Sequence, residues 1–424
     1  MCILSFIIPT YNVEKYLRTC LDSFLIDGHP MDIKRNSNLQ RDTATETNDH
    51  AIRLEACNED HSNDINNQDE KKSIYGENCS HRYEVIIVND GSTDGSQLIA
   101  EEYAARYPDI FRVFTQKNGG HGEAINTGMK LAKGKYVKVI DSDDWIVTEN
   151  LPAILNVLEK TSADAVLTPF HQVVLVSNDK SNEHKPHEAF TNDTSREDYV
   201  TQCESGSVLQ KKTSWAMKLA DDEYGKLWTL PEIMQRYDDF IRVLAFHGVM
   251  YRRDFYEKSA YQLPAHVFYE DIEYVTMHLS MAETIMPLQQ YLYEHRIGDV
   301  NQSISAESRV RKLGDANRVT QELLSFYERH KADEVSGRRD LIFRMCEQMI
   351  LMVYVTCCIL NPDKKGGRKS FHAYNASIES ISPEIYQRMK KKRFAFSLLN
   401  RLHISPTQYD AMLHSKWYKR LYRH

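Results

Sequence analysis

A chain of 424 residues exceeds what one ordinary hydrophobic core holds and, at roughly 150 residues per domain, points to two or three domains. Hydrophobic residues make up 42%, aromatic residues 10% and charged residues 27%, a balance that excludes disordered, collagen-like and disulfide-scaffold chains. The 53 basic side chains are outnumbered by 60 acidic ones, a net charge of −7 that offers nucleic acid no global attraction. No nucleic-acid partner is expected, and any anionic ligand must be met locally.

The first residues, Met1 to Pro9, lack a basic leader and a small-residue cleavage site, so they read as a strand rather than a signal peptide. The longest later apolar run, Met349 to Leu360, falls short of the ~20 residues a membrane-crossing helix needs. Eight cysteines are scattered without a CxxC pair, which suggests neither a zinc ribbon nor a disulfide framework and places the chain in a reducing cytoplasm.

In chain order, Ser5–Ile8 is a short apolar run fit for a strand buried on both faces. Val13, Tyr16, Leu17, Cys20, Leu21, Phe24 and Leu25 then share one helical face, with Asn12 as the expected N-cap. A second strand, Tyr83–Val88, runs into Asn89-Asp90-Gly91-Ser92 and a helix from about Ser96. Next come a strand over Phe111–Thr115, a glycine-rich turn, a helix from about Glu123 to Ala132, and a strand Tyr136–Ile140 ending in Asp141-Ser142-Asp143-Asp144. This alternation predicts an α/β fold whose parallel sheet is joined by right-handed crossovers. Residues 27–82, with 12 acidic and 7 basic side chains and few apolar ones, read as a disordered insertion, and Ser177–Thr194 as a shorter surface loop. Beyond Asn301 the pattern turns helical, and from Arg388 onward ten Lys/Arg face one acid, Asp410, with aromatic and aliphatic residues interleaved. Such a tail suits either an ordinary helical appendage or peripheral contact with an anionic membrane surface.

In an open parallel sheet, ligands bind beyond the carboxyl ends of the strands, so the residues following each apolar run carry the chemistry. Asp90 alone reads as a turn or cap. The three carboxylates of Asp141, Asp143 and Asp144 repel one another, a cluster best relieved by a hard divalent cation, Mn²⁺ or Mg²⁺, holding a diphosphate. The Lys117-Asn118-Gly119-Gly120-His121-Gly122 turn permits close backbone approach to a ligand ahead of a helix N-terminus. It does not read GxGxxG, and no GxxxxGK[ST] is present, which disfavours a nicotinamide cofactor or a P-loop. His121 reads as an exposed loop histidine.

Four ordered motifs carry a resemblance: Pro9-Thr10-Tyr11-Asn12-Val13-Glu14, Val88-Asn89-Asp90-Gly91-Ser92-Thr93-Asp94, Asn118-x-Gly120-x-x-x-Ala124-x-Asn126-x-Gly128, and Asp141-Ser142-Asp143-Asp144-Trp145. Together they resemble family 2 glycosyltransferases of the GT-A fold. The likeness covers residues 1 to about 150 apart from the insertion, and 240–305 more loosely. It implies a Rossmann-like, mostly parallel sheet with flanking helices in a catalytic domain over 1–300, and a helical region over 301–424. It also implies a nucleotide-diphosphate-sugar donor, with UDP expected, and an inverting transfer to a carbohydrate or lipid-linked saccharide acceptor. Thr10, Tyr11 and Glu14 would line the base pocket, Asp90 would meet the nucleoside, and Asp141 and Asp143 would serve the ribose and the metal. Pro9, Ser92, Asn118, Gly120, Asn126 and Ser142 complete the expected donor contacts. Many relatives carry Arg where this chain has Ile125. Phe268-Tyr269-Glu270-Asp271-Ile272-Glu273 resembles the family's Glu-Asp motif, making Asp271, beside Glu270, the expected general base. Taken alone, those acids would read as a helix start. Arg296 and Ser303 match the segment that closes over the diphosphate. Two rival readings are a sugar-nucleotide pyrophosphorylase, whose Gly-rich, Arg-bearing first loop is missing here, and a non-catalytic nucleotide-sugar-binding protein.

Overall fold

The structure is a computed structural model that describes residues 2–25, 82–177, 198–202, 208–297, 305–333 and 337–415. The expected insertion (Arg82 apart), nearly all of the second polar stretch, Ser303 and the tail beyond Ser415 lie outside the described residues.

The expected alternation is present: β1 (Leu4–Thr10), α1 (Glu14–Asp22), β2 (Tyr83–Asn89), α2 (Ser96–Arg106), β3 (Phe111–Thr115), α3 (His121–Leu131) and β4 (Tyr136–Val139). Strands β1, β2 and β4 are buried along their whole length, as continuous apolar runs require when helices cover both faces of a sheet. After β5 (Trp145–Ile146) and α4 (Leu151–Lys160) come β6 (Ala165–Leu167), β7 (Phe170–Ser177), β8 (Asp198–Gln202) and β9 (Val208–Trp215). The short helices α5 (Leu230–Gln235) and α6 (Tyr237–Phe240) lead to β10 (Val249–Arg252) and α7 (Arg253–Lys258). Helix α8 (Glu270–Leu279), β11 (Ile285–Pro287) and β12 (Tyr293–Ile297) complete the α/β part.

The main sheet runs β11-β6-β10-β4-β1-β2-β3, parallel except for β10, which pairs antiparallel with both neighbours. Register aligns Leu4 with both Tyr83 and Tyr136, so the ends of β1, β2 and β4 open at the same edge of the sheet. Tyr11, Asp90 and Asp141 therefore follow three adjacent strand ends. A second sheet, β5-β12-β7-β9-β8, is mixed, and nothing in the apolar pattern announced it. Its strand β12 brings Tyr293, His295 and Arg296 back toward the Asp141–Asp144 turn.

Asn12 is not the N-cap of α1. It sits at a positive φ of 51°, and its Oδ1 accepts from the Thr93 amide at 2.7 Å. The first turn of α1 is instead capped across the cleft, with Val13 N donating to Ser96 Oγ at 2.9 Å and Glu14 N to Asp94 Oδ2 at 3.1 Å. Gly95 N returns a bond to Glu14 Oε2 at 2.5 Å, so the starts of α1 and α2 satisfy one another.

Helix α3 lies tightly on β1, because a Cβ at Gly128 would meet Ile7 Cγ2 at 2.3 Å. Gly128→Ala is expected to push α3 off the sheet and destabilise the protein by about 1–3 kcal/mol, read as a lower urea midpoint. An unchanged midpoint would show that α3 can shift freely.

The C-terminal region is helical: α9 (Ala306–Arg311), α10 (Leu313–His330), α11 (Arg338–Val355), a π-helical turn Thr356–Leu360, α12 (Lys364–Ile381), α13 (Pro383–Arg388), α14 (Lys390–Arg401) and α15 (Pro406–His414). These helices share one apolar cluster, which reaches the main body through Val267 and Met277. Arg338–Leu360 is long and apolar enough to cross a bilayer, but 72% of its apolar window is buried in this cluster.

Candidate active site

The site forms where α3, the turn after β4, the start of α8 and strand β12 converge. His121, the first residue of α3, is wedged between two carboxylates. Its Nδ1 lies 2.6 Å from Glu270 Oε1 and its Nε2 2.9 Å from Asp141 Oδ1. Because His121 is helical and both its ring nitrogens are engaged, the expectation of an ordinary exposed loop histidine is corrected. Glycines on both sides of His121 allow this approach: a Cβ at Gly120 would meet His266 N at 2.7 Å, and one at Gly122 would meet Pro264 O at 2.8 Å. The close backbone approach expected of this turn is thus made to the segment leading into α8.

The electrostatics follow from that wedge. Burial alone would lower the His121 pKa, but the bonds to Asp141 and Glu270 win and raise it well above the ordinary histidine value. Burial pushes Asp141 up, and the opposing pull of His121 brings it down to about 2. Burial and the neighbouring Asp141 raise Asp143, and burial with Asp143 and Asp141 raises Asp144 well above the carboxylate range. Asp271, half-buried at the start of α8, is raised to about 7 by burial, by Glu270 beside it and by Asp141 across the cleft. A carboxyl with that pKa is matched to general-base work near neutral pH.

Asp144 ties the acidic turn to β12. Its Oδ2 accepts from Tyr293 Oη at 2.7 Å and its Oδ1 from Arg296 N at 2.7 Å. The Arg296 guanidinium donates to the Asp143 carbonyl at 2.6 Å and lies 3.3 Å from the Tyr16 ring centroid, held flat beside the acidic turn. Below the turn, the fully buried Lys138 donates to the carbonyls of Phe246, His247 and Val249 at 2.9, 2.8 and 3.0 Å, and burial pushes its pKa down to about 7. That anchor holds His247 against His295, whose ring stacks on it with centroids 4.0 Å apart.

Ligand atoms of Asp144, His247 and His295 lie within 4.8 Å of one another. His295 Nδ1 is buried without a hydrogen-bond partner among the described residues, and burial holds the imidazole down to about 4, in the neutral form that metals need. These residues could hold a cation, and Asp141 is close enough to be felt by both histidines. Sequence reading expected the metal at Asp141 and Asp143 and missed the two histidines. His295 stood inside a recognised segment, whereas His247, in a stretch without motifs, gave no signal.

The remaining expected donor contacts have protein partners. Asp90 is buried, its Oδ1 accepting from Gly119 N at 2.8 Å and Gln116 Nε2 at 2.7 Å, and its Oδ2 from Gly120 N at 2.8 Å. It braces the glycine-rich turn. Asn118 Nδ2 donates to the Asp90 carbonyl at 3.0 Å. Ser92 Oγ accepts from Asn12 N at 3.1 Å, and Thr10 Oγ1 donates to the Ile8 carbonyl at 3.1 Å. Asn126 is buried in a two-way clasp with the Leu263 backbone at 2.9 and 3.0 Å, away from any open surface. Pro9 and Ser142 are buried, and Tyr11 is 49% exposed. The structure thus brings together Asp141, Asp143, Glu270, Asp271 and Arg296, and gives Asp90, Ser92, Asn118 and Asn126 bracing roles.

The layered architecture is that of the GT-A glycosyltransferases. Staphylococcus aureus TarS residues 1–349, solved in complex with UDP-GlcNAc, matches at a TM-score of 0.54, over 100% of this chain and 93% of that one, at 16% identity, a likeness of fold alone. Residues 72–259 match the family model described as Glycosyl transferase family 2, so the chain carries a family 2 glycosyltransferase domain. Among similar sequences, the uncharacterized glycosyltransferase EpsJ of Bacillus subtilis is 29% identical over 170 residues, 40% of this chain and 34% of its own length. The minor teichoic acid biosynthesis protein GgaB of the same organism is 32% identical over 110 residues, 26% of this chain and 12% of its own length. The chain therefore spans about a third or less of these two relatives.

Proposed function

We propose that this protein is an inverting glycosyltransferase that moves a sugar from a nucleotide-diphosphate sugar, with uridine as the nucleoside, to a carbohydrate hydroxyl in surface polysaccharide assembly. Residues 1–300 form the catalytic unit in this reading and residues 301–424 an appended helical one. The observation that carries it is the His121 bridge, through which the base-bearing start of α8 meets the acidic turn after β4. Asp271 takes the proton of the acceptor hydroxyl, whose oxygen attacks the anomeric carbon from the side opposite the departing diphosphate, so configuration inverts. Arg296, held flat beside the acidic turn, meets the charge that develops on the diphosphate.

The clustered carboxylates and the neutral His247 and His295 fit a divalent cation, with Asp144, His247 and His295 as its holders and Asp141 and Asp143 beside them. When bound, such an ion supplies positive charge that stabilises the leaving diphosphate. Two imidazoles in the donor set favour Mn²⁺ over Mg²⁺, which prefers oxygen ligands. Uridine is supported by the TarS complexes with UDP-GlcNAc and with UDP, and polysaccharide assembly by the likeness to the minor teichoic acid biosynthesis protein GgaB.

A panel of UDP- and GDP-sugars with Mn²⁺ tests the reading. Slow release of nucleoside diphosphate, strongest with a UDP-sugar and abolished by chelation, is the expected result. Release of pyrophosphate would mean a pyrophosphorylase, and binding without turnover a sensor. Asp143→Ala is expected to weaken Mn²⁺-dependent UDP binding at least tenfold, about 1.4 kcal/mol by calorimetry. Equal affinity would remove Asp143 from the cation site.

A further inference from the structure

Helix α14 turns an unusual face outward. Phe394, Leu398 and Leu402 are 71%, 46% and 62% exposed, and their i, i+4, i+8 spacing places them along one stripe of the helix. The opposite face, with Phe396 and Asn400, is buried against the C-terminal cluster, so the stripe is not the packing side of the helix. Elsewhere among the described residues, large exposed apolar side chains are scattered and no other helix carries three.

The charges around the stripe have one sign. Between Glu384 and Asp410 the sequence contains no acid and six Lys/Arg. Three of these are engaged with the protein: Lys392 pairs with Glu347 at 2.7 Å, Arg393 lies over the Tyr386 ring at 3.5 Å while donating to its carbonyl, and Arg388 lies over the Phe343 ring at 3.4 Å and 3.8 Å from Glu384. Lys390, Lys391 and Arg401 remain exposed, and helical spacing puts them on the same outward side as the stripe. A row of apolar side chains flanked by cations on an acid-free helix is complementary to an anionic lipid surface, where the cations meet headgroups and the apolar row enters the acyl boundary. A protein partner would need acids matched to three cations and a groove matched to three side chains, whereas a bilayer needs neither.

We propose that the outward face of α14 docks this protein on an anionic bilayer, with Phe394, Leu398 and Leu402 inserting and Lys390, Lys391 and Arg401 holding the headgroups. This narrows the membrane contact expected for the whole of 388–424, because Phe396 and Leu399 belong to the core side of the helix. The docking does not depend on the donor assignment, and nucleotide release measured without lipid keeps the two apart.

Co-sedimentation of the full chain with vesicles of phosphatidylcholine alone, or of phosphatidylcholine with 30% phosphatidylglycerol, tests the proposal. Wild type is expected to partition at least about tenfold more strongly onto the anionic vesicles, and less so at high salt. The triple variant F394S/L398S/L402S, altered only at exposed positions, is expected to lose about tenfold or more of that partitioning while keeping its urea midpoint. The pair K390E/K391E is expected to erase the preference for anionic lipid. Equal partitioning of wild type and the triple variant overturns the proposal. So does a loss of self-association in the triple variant without any change in vesicle binding, which would assign the stripe to a second copy of this chain.

Discussion

Replacing Asp271 by Asn is expected to lower sugar transfer by about 10²–10⁴-fold while nucleotide binding and the thermal melting temperature stay at wild-type values. The variant keeps the size of the side chain and removes only its ability to take a proton. The carboxyl stands at about 7 because burial and the negative charges of Glu270 and Asp141 disfavour its ionised form. The working form is the deprotonated one, present above that value and lost below it. Wild-type transfer should therefore fall as pH drops through about 7, and residual transfer by the variant should not share that limb. A bound divalent cation would stabilise the carboxylate and move the limb toward lower pH without changing its direction. Wild-type rates in the Asn variant would rule Asp271 out as the base.

Lys138→Met is expected to cost about 3 kcal/mol or more, because the carbonyls of Phe246, His247 and Val249 lose their shared donor inside the protein. Against a total stability of about 5–15 kcal/mol this is a large fraction, and a lower urea midpoint at unchanged slope reads it directly. The same three carbonyls fix the segment that presents His247 to His295, so Mn²⁺ affinity should fall with stability. A variant as stable as wild type would mean that the segment is held by its apolar neighbours, Phe246 and Val249 among them, and that Lys138 is dispensable.

Much of the N-terminal architecture was legible from sequence because strands buried on both faces leave unbroken apolar runs and their crossover helices leave a 3.6-residue period. Strands β1 to β4 and helices α1 to α3 lie within one to three residues of their expected positions. The second sheet was not legible. Strands β8, β9 and β12 are rich in polar residues and follow no regular apolar period, and β12 pairs with β7, more than a hundred residues earlier. The cap of α1 was misplaced for a related reason, since Asn12 has the right chemistry but the caps come from Asp94 and Ser96 on the far side of the insertion. Within the site, Asp141, Asp143, Asp271 and Arg296 could be named from local motifs. The partners that give them their properties could not. His121 belongs to a turn that on its own looks open to solvent, His247 depends on a lysine buried in β4, and Asp90 and Asn126 brace backbone that only the folded chain places beside them.

The central claim is that Asp271 and the Asp141–Asp144 turn face one nucleotide-sugar from opposite sides. A crystal structure with Mn²⁺ and an unhydrolysable UDP-sugar analogue tests it most directly. The account predicts the ion among Asp144, His247 and His295, the diphosphate beside Arg296, and the Asp271 carboxylate facing the anomeric carbon across from the diphosphate. Donor bound elsewhere, or bound in this cleft with Asp271 turned away from the sugar, would contradict it.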